Sequence, residues 1–89
     1  MGETKGPCAI MSVLQKQRSQ TAPRVQEILT EFGCIIRVRL GLHEVTPEFC
    51  SPEGLILLVL CGSEQEMSDL AKRLQALEGV KVQRMSLEE

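Results

Sequence analysis

The segment Gly54-Leu-Ile-Leu-Leu-Val-Leu-Cys61 decides the fold of this chain. It is much shorter than the ~20 apolar residues that a membrane-spanning helix needs. It shows neither the spacing of a helical stripe nor the alternation of a half-buried strand, so it predicts a strand that is buried on both faces. The patterns on either side of it complete the order strand, helix, strand, strand, helix, strand.

That order of elements predicts an α+β fold, the ferredoxin-like βαββαβ two-layer sandwich with an antiparallel sheet. In this plan the two helices cover one face of the sheet, and the other face would meet water. Because the central strand is apolar on both faces, we expect the open face to be covered, most simply by a second copy of the chain. The predicted assembly is a homo-oligomer, either a dimer or a tetramer.

Turn and cap residues set the expected boundaries. We predict one domain at 8–87, with a disordered tail at 1–7 and a short tail at 88–89. Thr21 is expected to cap the first helix, and Gly33 to end that helix in a left-handed conformation. A capping box, Ser63 with Glu66, should begin the second helix, and Gly79 should end it. The predicted strands and loops are strand one at Cys8–Leu14, a polar loop at Gln15–Gln20, strand two at Cys34–Leu42, a long hairpin loop at His43–Glu53 and a last strand at Val80–Met85.

Composition excludes several classes of function. The chain of 89 residues carries a net charge of −2 with acids and bases mixed along it, so we expect no direct nucleic-acid binding. Two Phe and no Tyr or Trp leave no stacking platform for single strands. The polar N-terminus predicts no membrane association, and four cysteines without CxxC spacing predict a cytoplasmic protein with reduced thiols. Cys8, Cys34 and Cys61 are expected to be small buried apolar residues.

Four segments carry a resemblance to a known family. They are Val25-Gln-Glu-Ile-Leu-Thr-Glu-Phe32, Ile36-Arg-Val-Arg-Leu-Gly41, Ile56-Leu-Leu-Val-Leu60 and Leu74-Gln-Ala-Leu-Glu-Gly-Val-Lys-Val82. In these the chain resembles the iron-only hydrogenase system regulator family of small stand-alone ACT-like domains, from Cys8 to Leu87. The resemblance implies a regulatory module without a DNA-binding domain of its own.

The chain is also similar in plan to the regulatory domain of nickel-responsive repressors. The metal-ligand positions of that family correspond approximately to Arg39, Gly41 and Gly54 here, and none of these side chains ligates nickel. The loop after strand one also lacks the Gly and the Asn or Asp that ACT domains use to bind amino acids. His43 and Cys50 match no zinc spacing and are better explained as part of a solvated loop. We therefore expect no metal and no cofactor.

Two groups of cations are the candidate binding residues. Lys16, Arg18 and Ser19 precede a helix N-terminus, whose amides favour an anion, although an ordinary polar loop is the simpler interpretation. Arg37 and Arg39 lie two apart on a predicted edge strand, where they form either an anion-binding pair or charged edge protection.

No catalytic constellation is visible, so we expect a non-catalytic protein. The function that fits best is a regulatory module that binds a small anionic metabolite at a subunit interface, in an iron-only hydrogenase or related metabolic system. The alternative is a protein–protein interaction adaptor that binds no small ligand and docks a partner protein.

Overall fold

The computed structural model describes residues 6–42, 45–46, 49–50 and 53–88, and at 45–46 and 49–50 only the backbone. Outside the described residues lie residues 1–5 of the predicted tail at 1–7, the predicted loop residues His43, Glu44 and Glu48, and Glu89 of the predicted tail at 88–89. The elements in chain order are β1 (Cys8–Gln15), α1 (Arg18–Glu31), a 3₁₀ turn (Gly33–Ile35), β2 (Ile36–Leu42), β3 (Val45–Thr46), β4 (Phe49–Cys50), β5 (Gly54–Cys61), α2 (Glu64–Gln75) and β6 (Val80–Ser86).

The main sheet has four antiparallel strands in the order β2-β5-β1-β6. This is the predicted βαββαβ plan, and β2 is an edge strand as expected. The segment predicted as one long hairpin loop contains two short strands, β3 and β4, which pair as a separate two-stranded sheet.

The core lies between the sheet and the two helices. Alternate residues of β1 and β5 are buried there against apolar residues of both helices, as the strand period of two requires. The buried set is Ala9, Met11, Val13, Val25, Ile28, Leu29, Ile35, Ile56, Leu58, Leu60, Met67, Leu70 and Leu74.

The opposite face of the sheet, which neither α1 nor α2 covers, is apolar on β2 and β5 and carries Lys81 and Gln83 on β6; we call it the open face. On β5 it presents Leu55, Leu57 and Val59, which are half-buried by neighbouring strands. On β2 it presents Val38, Leu40 and Leu42, which are 52%, 49% and 45% exposed. The central strand is thus apolar on both faces, as predicted, but in the single chain helices bury only one of them.

The first helix begins earlier than predicted. The sequence placed its cap at Thr21, whereas α1 starts at Arg18 and Thr21 lies within the first turn. The Thr21 hydroxyl donates to the Gln15 side chain (2.9 Å) and lies 3.1 Å from the Gln17 carbonyl oxygen. It therefore connects the first turn of α1 to the end of β1 and does not cap the helix. The predicted loop Gln15–Gln20 is therefore reduced to a turn at Lys16 and Gln17.

The second helix begins as predicted, but it ends at Gln75, four residues before the predicted end at Gly79. The Ser63 hydroxyl accepts from the Glu66 amide (3.0 Å), and the Glu66 carboxylate accepts from the Ser63 amide (2.9 Å), which is the complete capping box. Gly79 has a φ of +80° and ends the turn after the helix. Gly33, in contrast, has no positive φ and instead begins the 3₁₀ turn, so the predicted left-handed end of α1 is wrong.

The two glycines provide a matched stability test. A Cβ at Gly79 would meet nothing closer than the Lys16 side chain at 3.9 Å, so Gly79→Ala tests the backbone conformation alone. We expect it to lower the free energy of unfolding by about 1 kcal/mol. Gly33→Ala places its Cβ in open space and should be neutral or stabilising by roughly 0.5 kcal/mol. Urea denaturation measures both, and equal effects at the two positions would contradict the assignment of Gly79.

Candidate functional site

The turn between β1 and α1 lies at one end of the sheet, beside the start of β5. Gln15 pairs with Gly54 of β5 on one side and with Val80 of β6 on the other. The Lys16 amide donates to the Gly79 carbonyl at 2.8 Å, which ties this turn to the one that precedes β6. The position of Lys16 and Arg18 is therefore set by backbone contacts on both sides.

Arg18 packs over a glycine. A Cβ added to Gly54 would lie 2.6 Å from the Arg18 Cδ, so the arginine stem fills the space that a larger residue would occupy. Arg18 is half-buried, whereas Lys16 and Ser19 are exposed. The aliphatic part of Arg18 is thus held against the sheet, and this restricts where its charged end can reach.

A groove of about 370 Å³ opens beside this turn, between α1 and the paired ends of β2 and β5. We call it the turn groove. Its floor contains Gly41, which is exposed, and Gly54, which is buried under the Arg18 stem, and its walls combine apolar and amide side chains. The lining residues are Gln15, Arg18, Ala22, Gln26, Gly41, Leu42, Gly54, Leu55 and Ile56.

The N-terminus of α1 carries an uncompensated partial positive charge. Gln17 occupies the N-cap position without a side-chain hydrogen bond to the helix, and the first turn holds no acidic residue. A helix N-terminus in this condition favours a negative group. Lys16 and Arg18 add two formal charges beside it, and no described carboxylate lies within ion-pair distance of Lys16. The turn groove therefore suits a ligand with an anionic group and an apolar body.

Neither edge arginine lines the turn groove, although Arg39 lies two residues from Gly41 on the same side of β2. Arg39 pairs with Leu58, four residues along β5 from Gly54, which corresponds to about 13 Å at the usual rise of a strand. Arg37 falls at a β-bulge, where the register shifts between Ile36 and Val38. The two side chains were predicted to share one strand face, but the bulge interrupts the simple alternation that this prediction needs. Within one chain the structure does not bring Arg37 and Arg39 to the turn groove.

Gln15, Gly41 and Gly54 are site residues that the sequence interpretation missed. Gln15 is only 3% exposed, and its side-chain oxygen accepts the bond from Thr21. The alternation of β1 could have indicated it, because Gln15 continues the buried series of Ala9, Met11 and Val13. The glycines gave no comparable indication, since their role depends on the pairing of β2 with β5.

Two cysteines are joined in the structure, contrary to the prediction of reduced, buried thiols. Cys8 and Cys61 form a disulfide with a Cα–Cα distance of 4.1 Å, and each is half-buried. They are 53 residues apart in sequence, and only the β1–β5 register places them opposite each other. Cys34 was expected to be buried as well, but it is a free and exposed residue of the 3₁₀ turn.

The described residues contain no group of three or more His, Cys, Asp or Glu side chains placed to hold a metal ion. Within the same ranges, none of the helices combines the length and apolar character needed to cross a membrane.

The comparisons with known proteins assign the family. The family model described as "TM1266-like: Iron-only hydrogenase system regulator, putative" matches residues 8–84. The chain belongs to this family. The comparison with curated proteins gives no match.

Solved structures agree with this assignment. The uncharacterized protein TM1266 from Thermotoga maritima superposes with a TM-score of 0.78 at 25% identity, covering 91% of this chain and 96% of that one. The ACT domain of GTP pyrophosphokinase from Chlorobium tepidum matches with a TM-score of 0.61 at 14% identity, covering 92% and 89%. The structure therefore has an ACT-like fold, as the sequence predicted.

A third similar structure is a nucleotide complex. CPII, a nitrogen regulatory PII-like protein from Thiomonas intermedia K12, was solved with ADP, AMP and bicarbonate bound. Its TM-score is 0.57 at 11% identity, covering 93% of this chain and 92% of that one. At this identity the likeness concerns the fold alone.

Proposed function

We propose that this TM1266-like protein is a non-catalytic regulatory module that responds to a small anionic metabolite bound in the turn groove. The proposal assigns it to an iron-only hydrogenase system or a related metabolic system in the cytoplasm. The observation that carries the proposal is the uncapped N-terminus of α1, flanked by Lys16 and Arg18 at the mouth of a groove of about 370 Å³. Ser19, exposed in the first turn, adds a hydroxyl at the same place.

The open face supports the second part of the proposal, which is self-association. Val38, Leu40 and Leu42 are about half exposed, although they lie beside the apolar residues of β5 on the same sheet face. A monomer would keep this continuous apolar surface in water, which is unfavourable. A second copy would present the same surface and cover it in a two-fold symmetric dimer.

The two parts together would couple ligand binding to assembly. Leu42 and Leu55 line the turn groove, and both also belong to the open face through the β2–β5 pairing. A ligand in the groove would therefore lie against residues that a second copy contacts. Arg37 and Arg39 of a neighbouring copy remain our candidates for completing the site. A regulator needs this kind of energetic coupling between two binding events.

The binding proposal predicts a specific loss of response. We expect at least one member of a panel of amino acids, adenine nucleotides, phosphate and bicarbonate to raise the Tm, since a ligand of the native state stabilises it by mass action. At a hundred times its Kd the stabilisation is about 2.7 kcal/mol. Lys16→Ala combined with Arg18→Ala should abolish this rise. Differential scanning fluorimetry of the folded variants measures it.

The control carries the same change in net charge at a distance from the groove. Arg24→Ala combined with Lys72→Ala removes two exposed cations, one on α1 and one on α2, that line a separate groove between the helices. This variant should retain the full ligand response. Gly41→Leu is a third variant. Its side chain would extend into the turn groove from a position where a Cβ meets no atom within 4 Å, so it should block binding without a clash.

The alternative function is an adaptor that docks a partner protein and has no small ligand. The exposed apolar residues of β2 are the observation that favours it, because a partner could cover them instead of a second copy. A wild-type protein whose Tm responds to no member of the panel would contradict the ligand proposal and favour the adaptor.

A further inference from the structure

The disulfide joins two strands that are already neighbours. Cys8 and Cys61 are the first of eight paired positions between β1 and β5, a ladder that continues to Gln15 and Gly54. The Gly62 amide also donates to the Pro7 carbonyl at 3.0 Å, just beyond the pair. The backbone therefore holds the two cysteines opposite each other whether or not the sulfurs are bonded. Breaking the bond would not separate the thiols, and closing it would require no rearrangement of the sheet.

The pair is accessible from one side. Cys8 and Cys61 lie on the open face, in the same alternation as Ile10 and Val59, and at its outer end. Both residues are half-buried, whereas the residues on the helix side of the same strands are buried. A sulfur in this position is within reach of a small thiol from solvent, which thiol–disulfide exchange requires.

A close backbone contact lies directly behind the pair. Gly6 has a φ of +83°, and a Cβ there would lie 2.9 Å from the Gly62 carbonyl oxygen. Gly62 is itself enclosed, since its Cβ would lie 2.6 Å from the Ile35 side chain. The next residue, Ser63, begins the capping box of α2. The two sulfurs therefore lie next to a segment that connects the start of β1, the end of β5 and the start of α2.

We propose that Cys8 and Cys61 form a reversible thiol–disulfide switch, whose oxidation locks this end of the sheet and whose reduction loosens it. In the oxidation, two thiols lose two protons and two electrons as the Sγ–Sγ bond forms. A low-molecular-weight disulfide accepts them and becomes two thiols. In the reverse direction two such thiols reduce the pair, through a mixed disulfide on one cysteine. The switch is independent of whether the turn groove binds a ligand.

The redox equilibrium is the first test. In a Cys34→Ser, Cys50→Ser background only the pair can react. The protein is equilibrated in buffers with graded ratios of reduced to oxidised glutathione, trapped with acid and alkylated with a maleimide for mass spectrometry. We expect chains with two labels to convert into chains with none and back again, while the far-UV circular dichroism remains that of a folded protein. The matched control, Cys8→Ser in the same background, should give at most a glutathione adduct on Cys61.

Amide hydrogen exchange is the second test, because it reads the local effect of the switch. The Gly62 amide bonds to Pro7, and the Leu87 amide bonds to the Cys8 carbonyl at 2.9 Å. In the reduced protein we expect both to exchange roughly tenfold faster than in the oxidised protein. The Lys16 amide, bonded to Gly79 at the other end of β1, should change little.

Any one of four results would overturn the switch. A bond that native protein keeps in fully reduced glutathione, and that is reduced only in denaturant, would be a permanent structural link. A pair that never closes in oxidised glutathione, or that closes only between two chains, would show that the intramolecular bond does not form in solution. Equal exchange rates for Gly62 and Leu87 in the two states would show that the bond controls nothing locally.

Discussion

A charged residue on the β2 side of the open face should convert the proposed oligomer into a monomer of 9.9 kDa. We expect Leu40→Glu to do this, since Leu40 lies on edge strand β2 opposite Leu57 and is 49% exposed in the single chain. The fold should tolerate a glutamate there. A second copy packed on this face would bury that charge without a partner, which costs several kcal/mol. The dissociation constant of the oligomer should rise by more than about a hundredfold, which corresponds to ~3 kcal/mol.

Sedimentation velocity across micromolar concentrations measures this effect. Thr30→Glu provides the control, because Thr30 is an exposed residue of α1 on the opposite side of the sheet and the charge change is identical. We expect Thr30→Glu to sediment as wild type does. The proposed assembly would be contradicted if wild type were already a monomer at micromolar concentration, or if Thr30→Glu dissociated it and Leu40→Glu did not.

Loss of the disulfide should produce the largest change in thermal stability. The bond links residues 53 positions apart, so it restricts the unfolded chain strongly. The loop-entropy model gives about 4 kcal/mol for a loop of this length. For a domain of this size, that corresponds to a fall in Tm of roughly 15–30 °C. Cys61→Ser and chemically reduced wild type should show similar losses when they are compared with the oxidised protein.

Cys34→Ser is the matched control for this prediction. Cys34 is free and exposed, so its replacement should leave the Tm of the oxidised protein within about 1–2 °C of wild type. Calorimetry at one protein concentration keeps any contribution of self-association constant. A Tm for reduced wild type equal to that of the oxidised form would show that the bond does not contribute to stability.

The fold was predictable because its information is local. The run at β5 is apolar at every position from Leu55 to Leu60, and Ser63 with Glu66 marks the start of α2 within four residues. Signals of this kind depend on neighbours in sequence, so a single sequence shows them. Thr21 misled the interpretation because a threonine at a cap and one bonded back within the first turn have the same local sequence.

The candidate site was only partly predictable because it depends on pairing between distant strands. Lys16, Arg18 and Ser19 could be chosen from the sequence, since they adjoin a helix start. The contact of Arg18 with Gly54 joins residues 36 positions apart, and the sequence offers no register from which to deduce it. The Cys8–Cys61 bond was missed for the same reason, as cysteine spacing carries no information on which strands pair.

The β-bulge at Arg37 determines the chemical character of one edge of the protein. Ile36 pairs with Leu60 toward the helices, whereas Val38 pairs with Val59 on the open face, because β2 contains one more residue than β5 in this interval. If β2 kept all its residues but paired with β5 without the bulge, Val38 and Leu40 would turn toward the helices, and Arg37 and Arg39 would lie on the open face. Two copies would then meet with like charges. The one extra residue of the bulge therefore decides whether this edge offers leucine and valine or arginine to a second copy.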